Sequence, residues 1–328
     1  MRALAALWVL MHHGVQSVEK YVGELGPGWQ VLLNGSLGVD FFFVLSGFII
    51  AMSCERLAAH GEGLREYARA RVLRIYVPYL PVGITMLGLY LLLPGVAEGA
   101  GAPGVLTSLT LLPTNDAPAL SVAWTLIHEL MFYGLFSIFF VSRRLLAGVV
   151  AVWVVMIAGV WLLQQELSPL ATYFLSPVNL CFLIGVAAFY ATRREAGKRW
   201  GVPMLLTGLV LVGAQAVMDE PSRVVATIGF LLLVMAAGTP AARGAPPLRL
   251  LVWLGAASYS IYLVHKPALA LGVRLINLSG APLTPPLALA LVAALGLAAG
   301  VLYHVFWERG ALRWFGQREG RSVRLRRG

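Results

Sequence analysis

The sequence predicts an all-α, polytopic membrane protein of about ten transmembrane helices with both termini on the cytoplasmic side. Three observations carry that prediction. The 328 residues are 59% hydrophobic and only 12% charged, with mean hydropathy +0.79, whereas a soluble domain carries roughly a quarter charged residues. Apolar runs near the length a spanning helix needs, about 20 residues, recur along the chain. The loops between them alternate in charge, so the net charge of +10 reads as a topology signal and not as a footprint for nucleic acid.

The ten expected spans are 2–18, 36–54, 75–94, 119–141, 145–163, 174–191, 202–218, 223–238, 250–274 and 286–307. The first resembles a secretory signal, but His12 and His13 interrupt its apolar run and no small-x-small cleavage site follows, so a retained helix is expected. The 219–222 turn makes a tight hairpin of the seventh and eighth spans. With the N-terminus inside, the inner loops hold Arg56, Arg65, Arg69, Arg71, Arg74, Arg143, Arg144, Arg193, Arg194, Lys198, Arg199, Arg243 and Arg249. Arg2 and the tail arginines from Arg309 to Arg327 bring the inner total to 21 of 25 basic residues. The outer loops carry Glu19, Glu24, Glu98, Asp116, Glu166, Asp219 and Glu220, with Lys20 and Arg223 as their clear cations. One span more or fewer would scramble this alternation. The expected organisation is one membrane domain over 1–310, followed by a basic cytoplasmic tail over 311–328 that lies near anionic head groups.

Cys54 and Cys181 sit in apolar stretches without metal-ligand spacing and read as small core residues. No metal site is expected. Ionisable groups inside a bilayer are costly and therefore candidates for function. The set is Arg2, His12, His13, Asp40, His128, Glu129, His265 and Glu308. The plain alternative is that they pair with one another to hold helices together.

Helical phase sorts them. The eleven residues from Arg2 to His13, at about 100° each, return to within roughly 20° of the same face, and His12 points elsewhere. Ser258 and His265 share one face of the ninth span, with Tyr262 nearby, and Thr125, Glu129 and Tyr133 stack at i, i+4 spacing on the fourth. At about 1.5 Å per residue His13 lies ~16 Å from the inner edge of its span, Glu129 near mid-membrane, and Asp40 and His265 in the outer half. These groups are expected to converge on a cavity between mid-membrane and the outer face, while Arg2 and the arginines over 65–74 stay at the inner face. A site open to two compartments follows.

Five segments, RALAALWVLMHH, GVDFFFVLSGFII, RVLRIYVPY, AWTLIHELMFYG and ASYSIYLVH, occur in an order and at spacings that resemble the acyltransferase-3 family of membrane acyltransferases, and most the branch acting on bacterial exopolysaccharides. The resemblance runs from Arg2 to about Glu308. The family's arginine–ten residues–histidine signature falls on Arg2 and His13. Its Gly-x-Asp-x-Phe-Phe-x-x-Ser-Gly-Phe segment is met by Gly38, Asp40, Phe42, Phe43, Ser46, Gly47 and Phe48, with one residue's latitude in the aromatic run. Its basic Arg-x-x-Arg-Ile-x-Pro stretch is met by Arg71, Arg74, Ile75 and Pro78, with Val77 where Pro is commoner. Its tryptophan segment is met by Trp124, Thr125, Leu126, Glu129, Phe132 and Tyr133. Members carry several residues before the first arginine, which implies a start upstream of Met1. Asn179-Leu-Cys181 stands where that branch often has a glutamate, so no carboxylate role carries over there.

The resemblance implies transfer of an acyl group, usually acetyl from acetyl-CoA, to a hydroxyl of a sugar or other acceptor, with no bound cofactor, in the bacterial inner (plasma) membrane. The implied partners are acyl-CoA, a carbohydrate or lipid-linked sugar, and the bilayer. Coenzyme A is cytoplasmic and phosphate-rich, and Arg69, Arg71 and Arg74 suit it through fork-shaped hydrogen bonding; they also serve topology. Transfer to a hydroxyl needs a base near neutrality, and histidine's unperturbed pKa of about 6.5 suits that role. His13 is the expected base, Asp40 or Glu129 the group that orients it, and Trp124, Tyr133, Ser258 and His265 the expected substrate contacts. The alternative is an acyl-enzyme on His13 or Ser46, although Ser46 is expected to pack beside Gly47 where helices approach closely. A transporter or flippase is the rival from another class, and a non-catalytic scaffold the second.

Overall fold

A computed structural model of the chain describes residues 1–92, 102–193, 200–239 and 248–315. Arg194, Lys198, Arg199, Arg243, Glu98 and the tail from residue 316 lie outside the described residues. Among the described residues the chain is helical throughout, with no strand.

Among the described residues, ten principal helices overlap the expected spans. They are α1 (Arg2–Tyr21), α2 (Leu37–Ala59), α3 (Leu64–Leu92), α4 (Trp124–Ser137), α5 (Arg143–Leu162), α6 (Asn179–Thr192), α7 (Gly201–Val217), α8 (Arg223–Gly238), α9 (Arg249–Ser279) and α10 (Pro285–Tyr303). With their flanking turns, seven of these stretches are long and apolar enough to cross a membrane: Gln30–Ala59, Leu64–Leu92, Ser121–Phe140, Arg143–Leu162, Pro169–Thr192, Arg249–Ser279 and Pro285–Phe315. The other three do not reach that standard. α7 and α8 have only 17 and 16 residues, and α1 carries Arg2, His12, His13, Gln16, Glu19 and Lys20 on its 20.

Local chemistry explains several ends. Ser142 and Ser222 accept hydrogen bonds from Leu145 N and Val225 N at the starts of α5 and α8, satisfying donors that a helix N-terminus leaves open. Gly280, at φ +62°, closes α9 in the left-handed conformation that glycine adopts without strain. α3 begins eleven residues before the expected span. The backbone N–H of Gly63 donates to Glu66 Oε2 at 3.0 Å, and buried Tyr67 donates to Tyr133 O at 3.1 Å. The arginines over 65–74 therefore sit on the first turns of a helix that continues into the apolar span.

α9 packs along α1 and α10, α2 along α6, and α7 along α8. The α2–α6 crossing is close because both helices present glycine there. A Cβ on Gly47 would stand 1.9 Å from Phe182 O, and one on Gly185 would stand 1.8 Å from Val44 O. Around this crossing Phe43, Phe132 and Phe182 stack, with ring centroids 4.6 and 4.4 Å apart. Cys54 and Cys181 are buried free thiols in the same core. α5 lies at the periphery, with Leu146 and Ile157 as its buried side chains.

Beyond Tyr303 the last helix widens into a π-helical turn, His304–Glu308, and continues to Phe315, so the described part of the expected tail is still helix. This segment binds α3. Pro81 has no N–H to offer the carbonyl of Val77 four residues back, and Trp307 Nε1 donates to that oxygen at 3.0 Å. Tyr303 donates to Pro78 O at 2.7 Å and Arg69 to Phe315 O at 3.1 Å.

Candidate active site

α1, α2, α3, α4 and α9 enclose two adjoining cavities of about 190 and 40 Å³. The larger is lined by Arg2, Ser46, Arg71, Arg74, Glu129, Tyr133 and Tyr259, the smaller by Arg2, Phe42, Ser46, Thr125, Glu129, Ser258, Tyr259 and Tyr262, among others. Arg2, Ser46, Glu129 and Tyr259 border both, so the two form one polar path through an apolar bundle. The i, i+4 stripe of α4 is realised here: Thr125, Glu129 and Tyr133 all face the path, and Tyr133 donates its hydroxyl proton to Glu129 Oε1. Glu129 thus stands with Arg2 and the α3 arginines. It is not beside His13, where the depth argument grouped it.

The arginines differ in their partners. Arg2 Nε donates to Ser258 Oγ at 3.1 Å, and its guanidinium lies 5.9 Å over Phe42. Arg74 Nη1 meets Glu308 Oε1 at 3.2 Å. That carboxylate, 1% exposed, also accepts from Ser260 Oγ at 2.6 Å and contacts His304 Nδ1 at 2.7 Å. Arg71 stacks over Tyr67 and Tyr133, at 5.6 and 5.4 Å, while its Nε is buried without a hydrogen-bond partner. Arg69 does not line either cavity.

Eleven residues along α1 from Arg2, His13 faces α9, and its Nδ1 lies 3.1 Å from Nε2 of His265. His265 is fully buried, and its own Nδ1 is 2.6 Å from Tyr262 O. Arg2–Ser258 and His13–His265 are therefore two rungs between the same pair of helices, on the faces that helical phase selected. His13 does not line either cavity. Tyr262 stands between, lining the smaller cavity, bonded to Thr125 Oγ1 at 3.0 Å and with its ring 5.6 Å from that of His265. His12 turns away, with Nδ1 2.6 Å from Leu33 O.

Asp40 lies apart from this group. Arg223 Nη1 spans both its carboxylate oxygens at 3.1 and 3.2 Å, joining α2 to the start of α8. Trp124 packs against Phe43 and His128 outside the cavities. His128 Nδ1 meets Asn179 Oδ1 at 2.8 Å, so the asparagine at that position serves as a neutral partner. Ser46 corrects its expectation: Gly47 makes the close helix crossing, and Ser46, one residue back, turns into the cavity.

Sequence reasoning missed three contributors. Tyr259 borders both cavities and donates to Ile75 O at 3.1 Å; its neighbour Ser258 and its i, i+3 partner Tyr262 were signals for it. Ser260 and His304 hold Glu308, and the four-residue spacing of His304 and Glu308 was readable. Among the described residues no three His, Cys, Asp or Glu side chains form a metal-holding group.

No solved structure matches the chain. Among curated proteins it is 31% identical over 322 residues to the exopolysaccharide production protein ExoZ of Rhizobium meliloti (strain 1021), covering 90% of this chain and 93% of that one. It is 27% identical over 365 residues to the acyltransferase MdmB of Streptomyces mycarofaciens, covering 97% of this chain and 92% of that one. The profile of the acyltransferase-3 family, described as an acyltransferase domain, matches residues 1–305. With that match across nearly its whole length, the chain belongs to the acyltransferase-3 family and is an acyltransferase built on membrane-crossing helices.

Proposed function

We propose that this enzyme transfers an acyl group, acetyl in its natural use, from cytoplasmic acyl-CoA to a hydroxyl of a carbohydrate or lipid-linked sugar during cell-surface polysaccharide modification. All ten helices span the inner membrane in this reading, both termini are cytoplasmic, and the basic tail lies along the inner face. The observation that carries the donor is the cavity bordered by Arg2, Arg71 and Arg74, in which Arg71 has aromatic neighbours but no carboxylate among the ion pairs of the described residues. A half-buried cation that forms no ion pair suits an anionic ligand, and a guanidinium suits phosphate oxygens. The acceptor rests on similarity to a protein named for exopolysaccharide production.

In the reaction, His13 takes the proton of the acceptor hydroxyl as its oxygen attacks the thioester carbonyl. The C–S bond breaks, and the coenzyme A thiolate takes that proton back. Purified protein given radiolabelled acetyl-CoA and a bacterial polysaccharide or lipid-linked sugar fraction tests the proposal. Label passing to the acceptor, or acceptor-independent donor hydrolysis, supports it. Movement of a sugar across a vesicle membrane without acyl consumption favours a flippase and overturns it.

A further inference from the structure

The histidine pair holds more information than two side chains in contact. A carbonyl oxygen can only accept a hydrogen bond, so the 2.6 Å contact from His265 Nδ1 to Tyr262 O requires the proton of neutral His265 to reside on Nδ1. Its Nε2 is then a bare lone pair. That nitrogen faces His13 Nδ1 at 3.1 Å, and two lone pairs repel, so His13 must carry its proton on Nδ1. A second observation leads to the same atom: His13 Nδ1 also lies 3.1 Å from Val9 O, another group that can only accept. The relay runs from His13 Nδ1–H to His265 Nε2, and from His265 Nδ1–H to Tyr262 O.

We infer that His265 is the positioning residue for His13, holding its ring so that Nε2 carries the free lone pair that acts as base. This inference rests on the proposed reaction. It assigns to a neutral imidazole the place that a carboxylate takes in a catalytic triad. Neither Asp40, held by Arg223, nor Glu129, bonded to Tyr133, forms a hydrogen bond to His13. When His13 Nε2 takes the acceptor's proton, the imidazolium donates a charge-assisted bond to His265 Nε2, which strengthens as charge develops. The proton then leaves from His13 Nε2 to the thiolate, and both histidines return to their starting tautomers.

The test uses the full chain in nanodiscs. Nitrogen-15 histidine spectra should give a protonated Nδ1 and an unprotonated Nε2 for His13; the reverse tautomer overturns the inference. In kinetics, His265→Phe keeps the ring volume and removes the acceptor, so kcat should fall on the order of 10²–10⁴-fold with the KM for acetyl-CoA nearly unchanged. His265→Gln offers an amide oxygen near the place of Nε2 and should recover to within about tenfold of the parent. Wild-type kcat in His265→Phe, or equal losses in the Phe and Gln variants per folded molecule, overturns it. A fully active His13→Ala protein would instead sink the general-base reading itself, so the two failures are distinguishable.

Discussion

Helices α1 and α9 meet at two polar rungs, and the rungs are built differently. At the first, Arg2, which borders the cavity that holds Arg71, Arg74 and Glu129, reaches Ser258 in the wall of the smaller one. At the second, His13 and His265 touch directly, with backbone carbonyls as their other hydrogen-bond acceptors. In the proposed reaction the first rung borders the space that receives the charged donor, and the second is the pair that handles a proton. Between them Tyr262 closes the smaller cavity, bonded to Thr125. Under that proposal, recognition of an anionic donor and activation of a hydroxyl fall in opposite environments. Fixed cations around a cavity suit a multiply charged ligand, whereas a base must remain neutral and oriented until the proton arrives.

The sharpest way to break this comparison is at the second rung. His13→Ala should lower acyl transfer about 10²–10⁴-fold, measured as turnover per folded molecule, while acyl-CoA binding persists. His12, bonded to Leu33 O, has the same chemistry one residue away, and His12→Ala should stay within roughly tenfold of the parent. Equal losses in both would erase the distinction between a proton-handling histidine and a structural one.

Around the cavity beside the first rung, Arg74 and Arg71 are separable. Arg74→Ala leaves the buried Glu308 carboxylate without that cation; the arginine is itself 36% exposed, so solvent screens the pair and the loss is about 1–3 kcal/mol, the cost of leaving a buried polar group short of a partner. The low end is expected, since Ser260 and His304 still bond the carboxylate. The readout is the thermal midpoint and folded yield. Arg71→Ala removes no ion pair, so its folded yield should hold while the KM for acetyl-CoA rises about 10–100-fold, the equivalent of one charged hydrogen bond at roughly 1.5–3 kcal/mol. An Arg71→Ala protein that misinserts yet binds donor normally would make that arginine a topology residue.

Asp40 should give the smallest effect. Its carboxylate is taken by Arg223, so Asp40→Asn should lower turnover per folded molecule by less than about tenfold. The double change with Arg223→Ala should be no worse than the single, as coupled partners behave in a double-mutant cycle. Turnover falling as far as in His13→Ala would return Asp40 to the reaction. Reporters fused after Arg144 and Arg199 should read cytoplasmic, and those after Asp116 and Glu166 external; an external reading after Arg199 overturns the ten-span arrangement and with it the side from which the arginine cavity is filled.

The helices follow from the order of residues alone, because burial in lipid demands long apolar runs and leaves the loops as the place for charge. Spans and helices agree to within five residues, apart from the basic start of α3, eleven residues early, and the run of the last helix on to Phe315. Helical phase likewise determined which residues share a face: Arg2 with His13, Ser258 with His265, Thr125 with Glu129 and Tyr133. What each face meets depends on how the helices pack. Asp40 and Arg223 are 183 residues apart, Arg74 and Glu308 are 234 apart, and His13 and His265 are 252 apart. Periodicity is a property of one helix and carries no information about the rotation or height at which another packs against it. Depth counting placed Glu129 and His13 at similar levels and so grouped them, but a residue's level says nothing about its azimuth. Packing turned Glu129 toward the arginines and His13 toward His265, and that separation sets the chemistry of each rung.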